Sequence, residues 1–523
     1  MNAVPITPAI DRPALLSALS IQLGNGGVVS DAESLAFYAH DVFAAGVALL
    51  ALARPETVDE VRATVTAVMR AGAALIARGG GLSYTDGFLA VQPSVMLDLS
   101  ALNRIVEINV EDRYVVVEAG VLWADLDAAL AAHGLRTPYW GPLSGLRSTV
   151  GGALSQGSVF LGSGLYGSVG DSVLGLEVVT ADGELLRTGS AAAGNTPAFM
   201  RYFGPDMTGL FVGDNGALGV KVRATMKLIE RPKAIDFVSF KFADASTMLL
   251  AMAAVSRAGL ASECFGFDPV LADIRMQRAS LFADARALVS VVKQSGLLAG
   301  AKLVVAGRNF LGPESYSAHA IIEADSEAAL PPRVKRVKQL FAECGKETDN
   351  SIPKAMRAMP FAPPNSMLGP AGERWVPVHG IVPHSKAPSV HAACERVFAA
   401  HAESIAQHRI KIGFLFSTIA QQATLIEPVF LWPDSHTVYH KQVVDAAYQG
   451  KIGEPEDNPV TRAFVGQLKR LIADTLRQAG ATHFQIGKFY DFRAERDPTA
   501  LALFDAIKRQ LDPHHLMNPG VLR

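Results

Sequence analysis

The spacing of apolar residues predicts a chain that alternates short helices with strands. Residues 57–72 begin with a capping box, carry valines on one face and end at a glycine, which predicts a helix. A strand-like run, AALIA (73–77), leads into the glycine turn RGGGLSYTDG (78–87), and a second run, SVMLDLS (94–100), follows. The pattern is typical of an α+β protein.

The next segments continue this pattern. RIVEINV and RYVVVEAG flank Glu111 and Asp112 and predict a hairpin, and GLEVVTADGELLRTG predicts a strand pair that turns at Asp182 and Gly183. Residues 150–170 contain seven glycines between β-branched and aromatic residues. Glycine permits close backbone approach, so we expect this stretch to wrap a bulky group or to form several tight turns against it.

After residue 231 the pattern shifts to strands such as FVSFKF (237–242), which alternate with alanine-rich helices such as residues 247–259. This shift predicts a second domain. A polar connector, KIGEPEDNPV (451–460), leads into a further predicted helix over residues 461–480. We therefore divide the chain into residues 1–231, 232–460 and 461–523.

Composition and charge exclude several classes of protein. Of the 523 residues, 49% are hydrophobic and 19% are charged, which excludes a disordered chain. The 48 Lys and Arg residues nearly balance the 50 Asp and Glu residues, so no overall field favours nucleic acid or an anionic membrane. The three cysteines form no C-x-x-C pair, which argues against a disulfide framework or a thiolate zinc site. Neither a signal peptide nor an apolar run of ~20 residues is evident, so we expect a cytoplasmic protein without a membrane span.

The turn at residues 78–87 has the chemistry of a phosphate site. It follows a strand and presents several backbone N–H groups at one point, as the binding of a phosphate or pyrophosphate requires. It differs from a Rossmann turn because it does not open a helix, and from a P-loop because Lys followed by Ser or Thr is missing. A nucleotide held here needs a second glycine segment for its other end, and residues 141–157 supply one.

Seven segments occur in an informative order: ARPETVDEV, RGGGLSYTDG, VVVEAGVLWADL, STVGGALSQG, GLEVVTADGELLRTG, GPDMTGLFVGDNGALGV and LDPHHLMNPG. Together they resemble the flavoproteins of the vanillyl-alcohol oxidase superfamily, and the resemblance extends over nearly the whole chain. It implies an α+β fold with a two-part FAD-binding domain (1–231) and an α+β substrate cap domain (232–460). The C-terminal segment (461–523) is expected to return to the FAD-binding domain.

This resemblance implies that FAD is the cofactor and that four segments hold it. The first glycine loop cradles the pyrophosphate, the second lies along the ribityl chain and ring, a later turn contacts the adenine, and an asparagine near the C-terminus returns to the flavin. The implied cofactor-binding residues are Arg78, Gly79, Gly80, Gly81, Leu82, Ser83, Tyr84, Pro142, Ser148, Thr149, Gly151, Gly152, Ser155, Gly219, Val220 and Asn518.

The residues at the usual tethering positions predict that FAD is bound non-covalently. Many members of the superfamily tether FAD to a histidine directly after the glycine triplet, where this chain has Leu82. The second glycine segment contains no cysteine, and the cap stretch over residues 416–428 contains no His, Tyr or Cys.

Residues 482–492 resemble a cap strand that faces the flavin, and this segment contains the leading catalytic candidates. His483 is the first candidate for the base that takes the hydroxyl proton of the substrate, and His379 is the second. Alternation along a strand would place Lys488 and Tyr490 on one face, and Tyr490 is a candidate to orient the substrate oxygen.

The substrate class is less clearly indicated than the cofactor. Phenol oxidases of this superfamily hold a phenolate with a Tyr-Arg pair, where this chain has Gly480 and Ala481. His379, His384 and His483 match the metal motif of the D-2-hydroxy-acid dehydrogenases only loosely. No metal site is assigned, although three imidazoles are suited to a divalent ion.

We expect the protein to oxidise the CH–OH group of a small aromatic or otherwise apolar alcohol by hydride transfer to flavin N5, with oxygen or another acceptor taking the electrons. A D-2-hydroxy acid of the lactate or glycolate type is the alternative substrate, placed second because no carboxylate-binding arginine stands beside the histidines. Two functions of different classes also fit the sequence: a lyase or transferase that uses the flavin as a covalent adduct partner, and a flavin-binding subunit without its own substrate. The only partners expected are the small-molecule substrate, the electron acceptor and a possible second copy of the chain.

Overall fold

The computed structural model describes residues 10–24, 26–194, 196–281 and 315–523. In these ranges the first domain contains a four-stranded sheet in the order β1-β2-β4-β3, in which β2 and β3 run parallel to β4. Its strands are Val28–Val29 (β1), Ala51–Ala53 (β2), Ala74–Arg78 (β3) and Ser94–Asp98 (β4). The accompanying helices are Arg12–Leu23 (α1), Ala32–Tyr38 (α2) and Val58–Arg70 (α3).

A second sheet, with five antiparallel strands in the order β5-β6-β10-β8-β9, completes the first domain. The strands are Ile105–Asn109 (β5), Tyr114–Glu118 (β6), Leu135–Arg136 (β7), Val173–Val179 (β8), Leu185–Arg187 (β9), Val220–Lys227 (β10) and Ile229–Glu230 (β11), of which β7 and β11 form a separate pair. The helices are Trp123–Ala131 (α4), Val150–Gln156 (α5), Ser163–Tyr166 (α6) and Met207–Leu210 (α7). The two predicted hairpins are confirmed as β5–β6 and β8–β9.

The second domain is built on an antiparallel sheet in the order β15-β12-β14-β13-β18-β19-β16, with β17 also paired to β19. Its strands are Ala234–Phe242 (β12), Glu263–Phe267 (β13), Tyr316–Ala324 (β14), Lys346–Glu347 (β15), Arg374–Pro377 (β16), Gly380–Pro383 (β17), Lys411–Ile419 (β18) and Ala423–Trp432 (β19). Its helices are Ala245–Arg257 (α8), Pro269–Leu281 (α9), Leu330–Ala342 (α10), Ser351–Ala358 (α11), Ala387–Ala400 (α12), Ala402–Gln407 (α13), Val438–Val443 (α14) and Ala446–Gln449 (α15). The α+β class is therefore confirmed. Among the described residues, no helix has both the length and the apolar character needed to cross a bilayer.

The two faces of the cap sheet carry different side chains. On β18, Phe414 and Phe416 lie in a core shared with helices α8, α10 and α12. Side chains alternate along a strand, so Leu415 lies on the opposite face, where Glu427 of β19 is its register partner. Glu263 of β13 lies on that same face and accepts hydrogen bonds from the first domain. The second face of the cap sheet is therefore the one turned toward the first domain.

The C-terminal segment packs first on the cap and then on the first domain. Helix Pro459–Gln478 (α16) buries its apolar face in the cap core. The chain then runs back to the four-stranded sheet, where the N–H of Asn518 donates to the backbone oxygen of Leu75 at 2.8 Å. A further helix, Pro498–Leu511 (α17), has no counterpart among the predicted elements. The domain boundaries after residues 231 and 460 remain predictions.

The strand predicted over residues 482–492 is wrong. The backbone of this segment turns instead, with left-handed φ values of +49° at Gln485 and +58° at Gly487. Left-handed residues break the alternation of a strand, so Lys488 and Tyr490 do not share a face. Each contacts a different part of the molecule.

Candidate functional site

The first glycine loop has the properties of an anion site. Residues 79–83 leave β3 directly, and none of their backbone N–H groups donates to an acceptor in the described part of the chain. Gly81 has a left-handed φ of +71°, which glycine adopts at little cost. Five successive unpaired N–H groups match the oxygens of a diphosphate.

Glycine is required where this loop meets the second glycine segment. A Cβ atom on Gly80 would lie 2.0 Å from the backbone oxygen of Arg147, and one on Gly79 would lie 2.3 Å from Oγ1 of Thr149. Thr149 also caps helix α5, because its Oγ1 accepts the N–H of Gly152 at 3.1 Å. The two glycine segments therefore lie side by side.

Arg78 places a positive charge beside the same loop. Its side chain is buried, and Nε and Nη2 have no hydrogen-bond partner among the described residues. The guanidinium carbon lies 4.3 Å from the ring centroid of Tyr38, and a Cβ atom on Gly81 would lie 2.2 Å from Nη2. Burying charged donors without an acceptor is costly, so the loop fits an anionic group such as the diphosphate of FAD.

Asn518 joins the C-terminal segment to these loops. Its Nδ2 donates to the backbone oxygens of Gly87 at 2.8 Å and Asn215 at 2.6 Å, and its Oδ1 accepts from Nζ of Lys488 at 2.8 Å. Gly219 ends the turn that carries Asn215 and has no room for a side chain, because a Cβ atom would lie 2.5 Å from a valine of β8. Four segments of the chain thus converge around the first glycine loop.

Other predicted cofactor residues are held around the same loops. The backbone oxygen of Ser155 accepts the N–H of Asn215 at 3.0 Å, which joins helix α5 to the turn at residues 213–219. Within the second glycine segment, the backbone oxygen of Pro142 closes a turn by accepting the N–H of Gly145 at 3.0 Å. Leu82 packs in a small apolar cluster, and Val220 begins β10. Roles in FAD binding for these individual residues remain predictions.

A second cluster brings together the three predicted catalytic residues. Nδ1 of His483 lies 2.7 Å from the backbone oxygen of His379, and its ring stacks on Tyr490 with centroids 4.0 Å apart. The hydroxyl of Tyr490 accepts a 2.9 Å hydrogen bond from the N–H of His379. A carbonyl oxygen can only accept, so Nδ1 of His483 carries the proton and Nε2 is the basic nitrogen. Burial lowers the pKa of His483, which favours the neutral imidazole.

The ring of His379 offers unused hydrogen-bonding atoms. It is fully buried, and neither nitrogen has a hydrogen-bond partner in the described ranges. It stacks on Phe484 with centroids 4.0 Å apart, and the ring of Tyr84 lies 6.1 Å away. Burial, reinforced by the neighbouring His483, holds the pKa of His379 well below its ordinary value. A neutral imidazole has one donor and one acceptor, and neither is paired among the described residues.

Glu427 is a functional candidate that the sequence analysis does not single out. Its side chain is buried, and no hydrogen bond to its carboxyl occurs among the described residues. Burial raises the pKa of this carboxyl to about 7, and its charge acts on the phenols of Tyr84 and Tyr490. Glu427 therefore lies beside the aromatic cluster. In the sequence, Glu427 could have been recognised as the single acidic residue within the otherwise apolar run ATLIEPVFLW.

His384 does not join the other two histidines. It follows the end of β17, where Nδ1 lies 2.7 Å from Oγ1 of Thr424 and Nε2 lies 3.1 Å from Oγ of Ser256. Within the described ranges, no three His, Cys, Asp or Glu side chains converge as a metal ion requires. The three imidazoles thus form no common metal site.

Sequence comparison supports an FAD site in the first domain. Residues 49–189 match the family model described as an FAD binding domain. A segment of 183 residues is 32% identical to the glycolate oxidase subunit GlcD of Bacillus subtilis (strain 168) and covers 35% of this chain and 37% of that protein. The match therefore spans well under half of that relative.

Comparison with solved structures extends over almost the whole chain. Alkyldihydroxyacetonephosphate synthase superimposes with a TM-score of 0.69 at 15% identity, covering 97% of this chain and 85% of that one. p-Cresol methylhydroxylase superimposes with a TM-score of 0.70 at 16% identity, covering 97% and 96%. The predicted fold is confirmed, and FAD is the cofactor that both the family match and the unpaired N–H groups of the glycine loop support.

Proposed function

Because this chain carries the FAD-binding domain and the fold of the vanillyl-alcohol oxidase superfamily, we propose that it oxidises the CH–OH group of a small organic alcohol. When bound, FAD accepts the hydride at N5. One observation carries the proposal: the hydrogen bond from His483 to the backbone oxygen of His379 leaves a neutral imidazole nitrogen as a base in a buried aromatic cluster.

In this proposal, Nε2 of His483 takes the proton of the substrate hydroxyl as the hydride leaves the carbinol carbon. The hydrogen bond at Nδ1 selects the tautomer, and stacking on Tyr490 holds the plane of the imidazole. A positioned base of this kind contributes roughly 10²–10⁴-fold in rate. The unpaired ring nitrogens of His379 orient the substrate oxygen.

The cofactor is held by the first domain. Backbone N–H groups of residues 79–83 and the guanidinium of Arg78 would hold the diphosphate of FAD. Leu82 has no nucleophilic atom with which to form a covalent bond to the flavin. We therefore propose that binding rests on non-covalent contacts alone.

The lining of the catalytic cluster supports an aromatic or apolar substrate. Phe484 stacks on His379, and Tyr84 packs edge-on against Trp375 with ring centroids 5.6 Å apart. Aromatic side chains of this kind are common in sites that bind apolar molecules. A D-2-hydroxy acid is the second candidate, because the matched Bacillus subtilis protein is a glycolate oxidase subunit and glycolate is a 2-hydroxy acid.

Anaerobic titration of the purified yellow protein tests this function. Aromatic alcohols, aliphatic alcohols and D-2-hydroxy acids are added in turn, and the flavin absorbance is followed. One class should bleach the flavin and yield the corresponding carbonyl product. A flavin that dithionite bleaches but that stays oxidised with every compound would contradict the proposal. Reoxidation by oxygen or by a dye then identifies the type of electron acceptor.

A further inference from the structure

Helix α14 of the cap contacts the first glycine loop through one tyrosine. The hydroxyl of Tyr439 donates to the backbone oxygen of Gly81 at 2.5 Å, and the side chain is fully buried. The ring of Tyr439 stacks on that of Phe37 of α2 with centroids 5.9 Å apart. Leu82, the next residue of the loop, packs against the apolar cluster that contains these two rings. A cap residue therefore contacts the loop that is proposed to hold the diphosphate.

Two other carbonyl oxygens of this loop are also bonded to residues outside it. Nε of Arg147 donates to the backbone oxygen of Gly80 at 3.4 Å, and the N–H of Val42 donates to that of Ser83 at 3.3 Å. The N–H groups of residues 79–83, by contrast, donate to no acceptor in the described part of the chain. Three carbonyl oxygens of the loop are thus paired within the protein, while its N–H groups are not.

The geometry of the peptide bond connects these two sets of groups. In a trans peptide, the C=O of one residue and the N–H of the next point in opposite directions within one plane. A hydrogen bond to the oxygen of Gly81 therefore also determines the direction of the Leu82 N–H. Gly81 itself has a left-handed φ of +71°, and glycine tolerates many backbone conformations, so local sterics restrict this peptide little. The hydroxyl of Tyr439 supplies the restriction that the glycine lacks.

We propose that Tyr439 is a positioning residue for the cofactor, which holds the Gly81–Leu82 peptide so that the Leu82 N–H faces the diphosphate of FAD. The cap then takes part in cofactor binding as well as covering the first domain. Because such coupling is reciprocal, bound FAD should in turn stabilise the docking of α14 on the loop. This inference rests on the proposed diphosphate site at residues 79–83, but it does not depend on the proposed oxidation.

Tyr439→Phe tests the inference, because it removes the hydroxyl and keeps the ring that stacks on Phe37. Tyr448→Phe is the matched control. Tyr448 is also buried in the same cluster, and its hydroxyl donates at 3.3 Å to the backbone oxygens of Leu368 and Gly369, which belong to the cap. Each variant removes a hydroxyl that is bonded to buried backbone oxygens, so both should lose stability to a similar extent.

Affinity for the diphosphate is measured on each holoenzyme. Dilution releases FAD, whose fluorescence gives its dissociation constant, and ADP, which carries the diphosphate without the flavin, is then used to displace FAD. Tyr439→Phe should raise the dissociation constants of both FAD and ADP by roughly 10- to 100-fold, because one donor to the diphosphate is no longer oriented. Tyr448→Phe should change neither constant by more than about threefold. If Tyr439→Phe purified without FAD, titration of FAD and ADP into the folded protein would give the same constants.

A merely structural role for Tyr439 predicts a different result. Constants for FAD and ADP within about threefold of the wild type, with an unfolding temperature lowered as in Tyr448→Phe, would overturn the inference. Weaker binding of FAD but not of ADP would also overturn it, since the affected contact would then lie away from the diphosphate.

Gly80→Val separates this inference from the proposed cofactor site. Normal binding of ADP by Gly80→Val would show that the diphosphate site itself is wrong, and the inference would fail with it. Loss of ADP binding in Gly80→Val, together with normal binding in Tyr439→Phe, would refute the role of Tyr439 alone. Loss of ADP affinity in both variants is the result that the inference predicts.

Discussion

The backbone oxygen of His379 lies 2.7 Å from Nδ1 of His483, and this contact keeps the ring proton on Nδ1 and leaves Nε2 as the basic nitrogen. The N–H of the same residue donates to the hydroxyl of Tyr490 at 2.9 Å. The main chain of His379 therefore positions two aromatic partners at once. Its own ring has two nitrogens that lack a hydrogen-bond partner among the described residues.

Tyr490→Phe should destabilise the protein more than it slows the chemistry. The change leaves the buried N–H of His379 without an acceptor, which costs about 1–3 kcal/mol in the free energy of unfolding. The ring still stacks on His483, so flavin reduction should slow less than about tenfold. Urea unfolding and stopped-flow reduction measure the two effects, with the exposed Tyr202→Phe as control. If stability were unchanged and flavin reduction slowed more than about 100-fold, the Tyr490 hydroxyl would instead contact the substrate.

Glu427→Gln should make stability less sensitive to pH. Burial raises the pKa of Glu427 from 4.5 to about 7, so between these values the folded protein holds a proton that the unfolded chain has released. The free energy of unfolding should therefore fall as pH rises through this window, by about 3 kcal/mol from this group. Urea unfolding at about pH 5 and about pH 8.5 should show a larger loss for the wild type than for Glu427→Gln. Glu403→Gln, at an exposed glutamate, is the control. If the free energy of unfolding fell by the same amount between the two pH values in both glutamine variants, the raised pKa of the Glu427 carboxyl would be contradicted.

Acid precipitation should release free FAD into the supernatant. Leu82 follows the glycine triplet directly, and leucine cannot form a bond to the flavin. Absorbance of the supernatant measures the released cofactor. Yellow colour that stays with the precipitated protein would show a covalent link and would contradict the expectation.

Gly80→Val should prevent FAD binding while the protein stays folded. A Cβ atom on Gly80 would lie 2.0 Å from the backbone oxygen of Arg147. The two glycine segments would have to move apart to accommodate it. The purified variant should be colourless, with a circular dichroism spectrum like that of the wild type. Gly453→Ala has open space around its Cβ and serves as the control. Stoichiometric FAD in Gly80→Val would show that the cradle lies elsewhere.

Elements set by local residues are predictable from the sequence. The capping box of Thr57 and Glu60 begins helix α3 as expected, and the first glycine turn follows β3. The segment at 482–492 is not predictable in this way, since its left-handed turns at Gln485 and Gly487 are set by packing against the first domain. Apolar alternation alone there favours a strand that the tertiary contacts do not allow.

The candidate site is predictable only in part, for a related reason. The proximity of His379, His483 and Tyr490 is predictable only from the family resemblance, because a resemblance carries tertiary information that periodicity lacks. Tyr439 has the appearance of an ordinary core residue on a helix, and its hydroxyl meets Gly81 only because two distant parts of the chain pack together. A contact between such remote segments leaves no local signal in the sequence.

Anaerobic stopped-flow reduction of the flavin in His483→Ala tests the central claim most directly. With the substrate that bleaches the wild type, reduction should slow by roughly 10²–10⁴-fold, because the positioned base is lost. FAD content should stay normal, and the exposed His133→Ala should behave like the wild type. A reduction rate for His483→Ala within about threefold of the wild type would contradict the account, since proton removal by His483 could not then be part of the reaction.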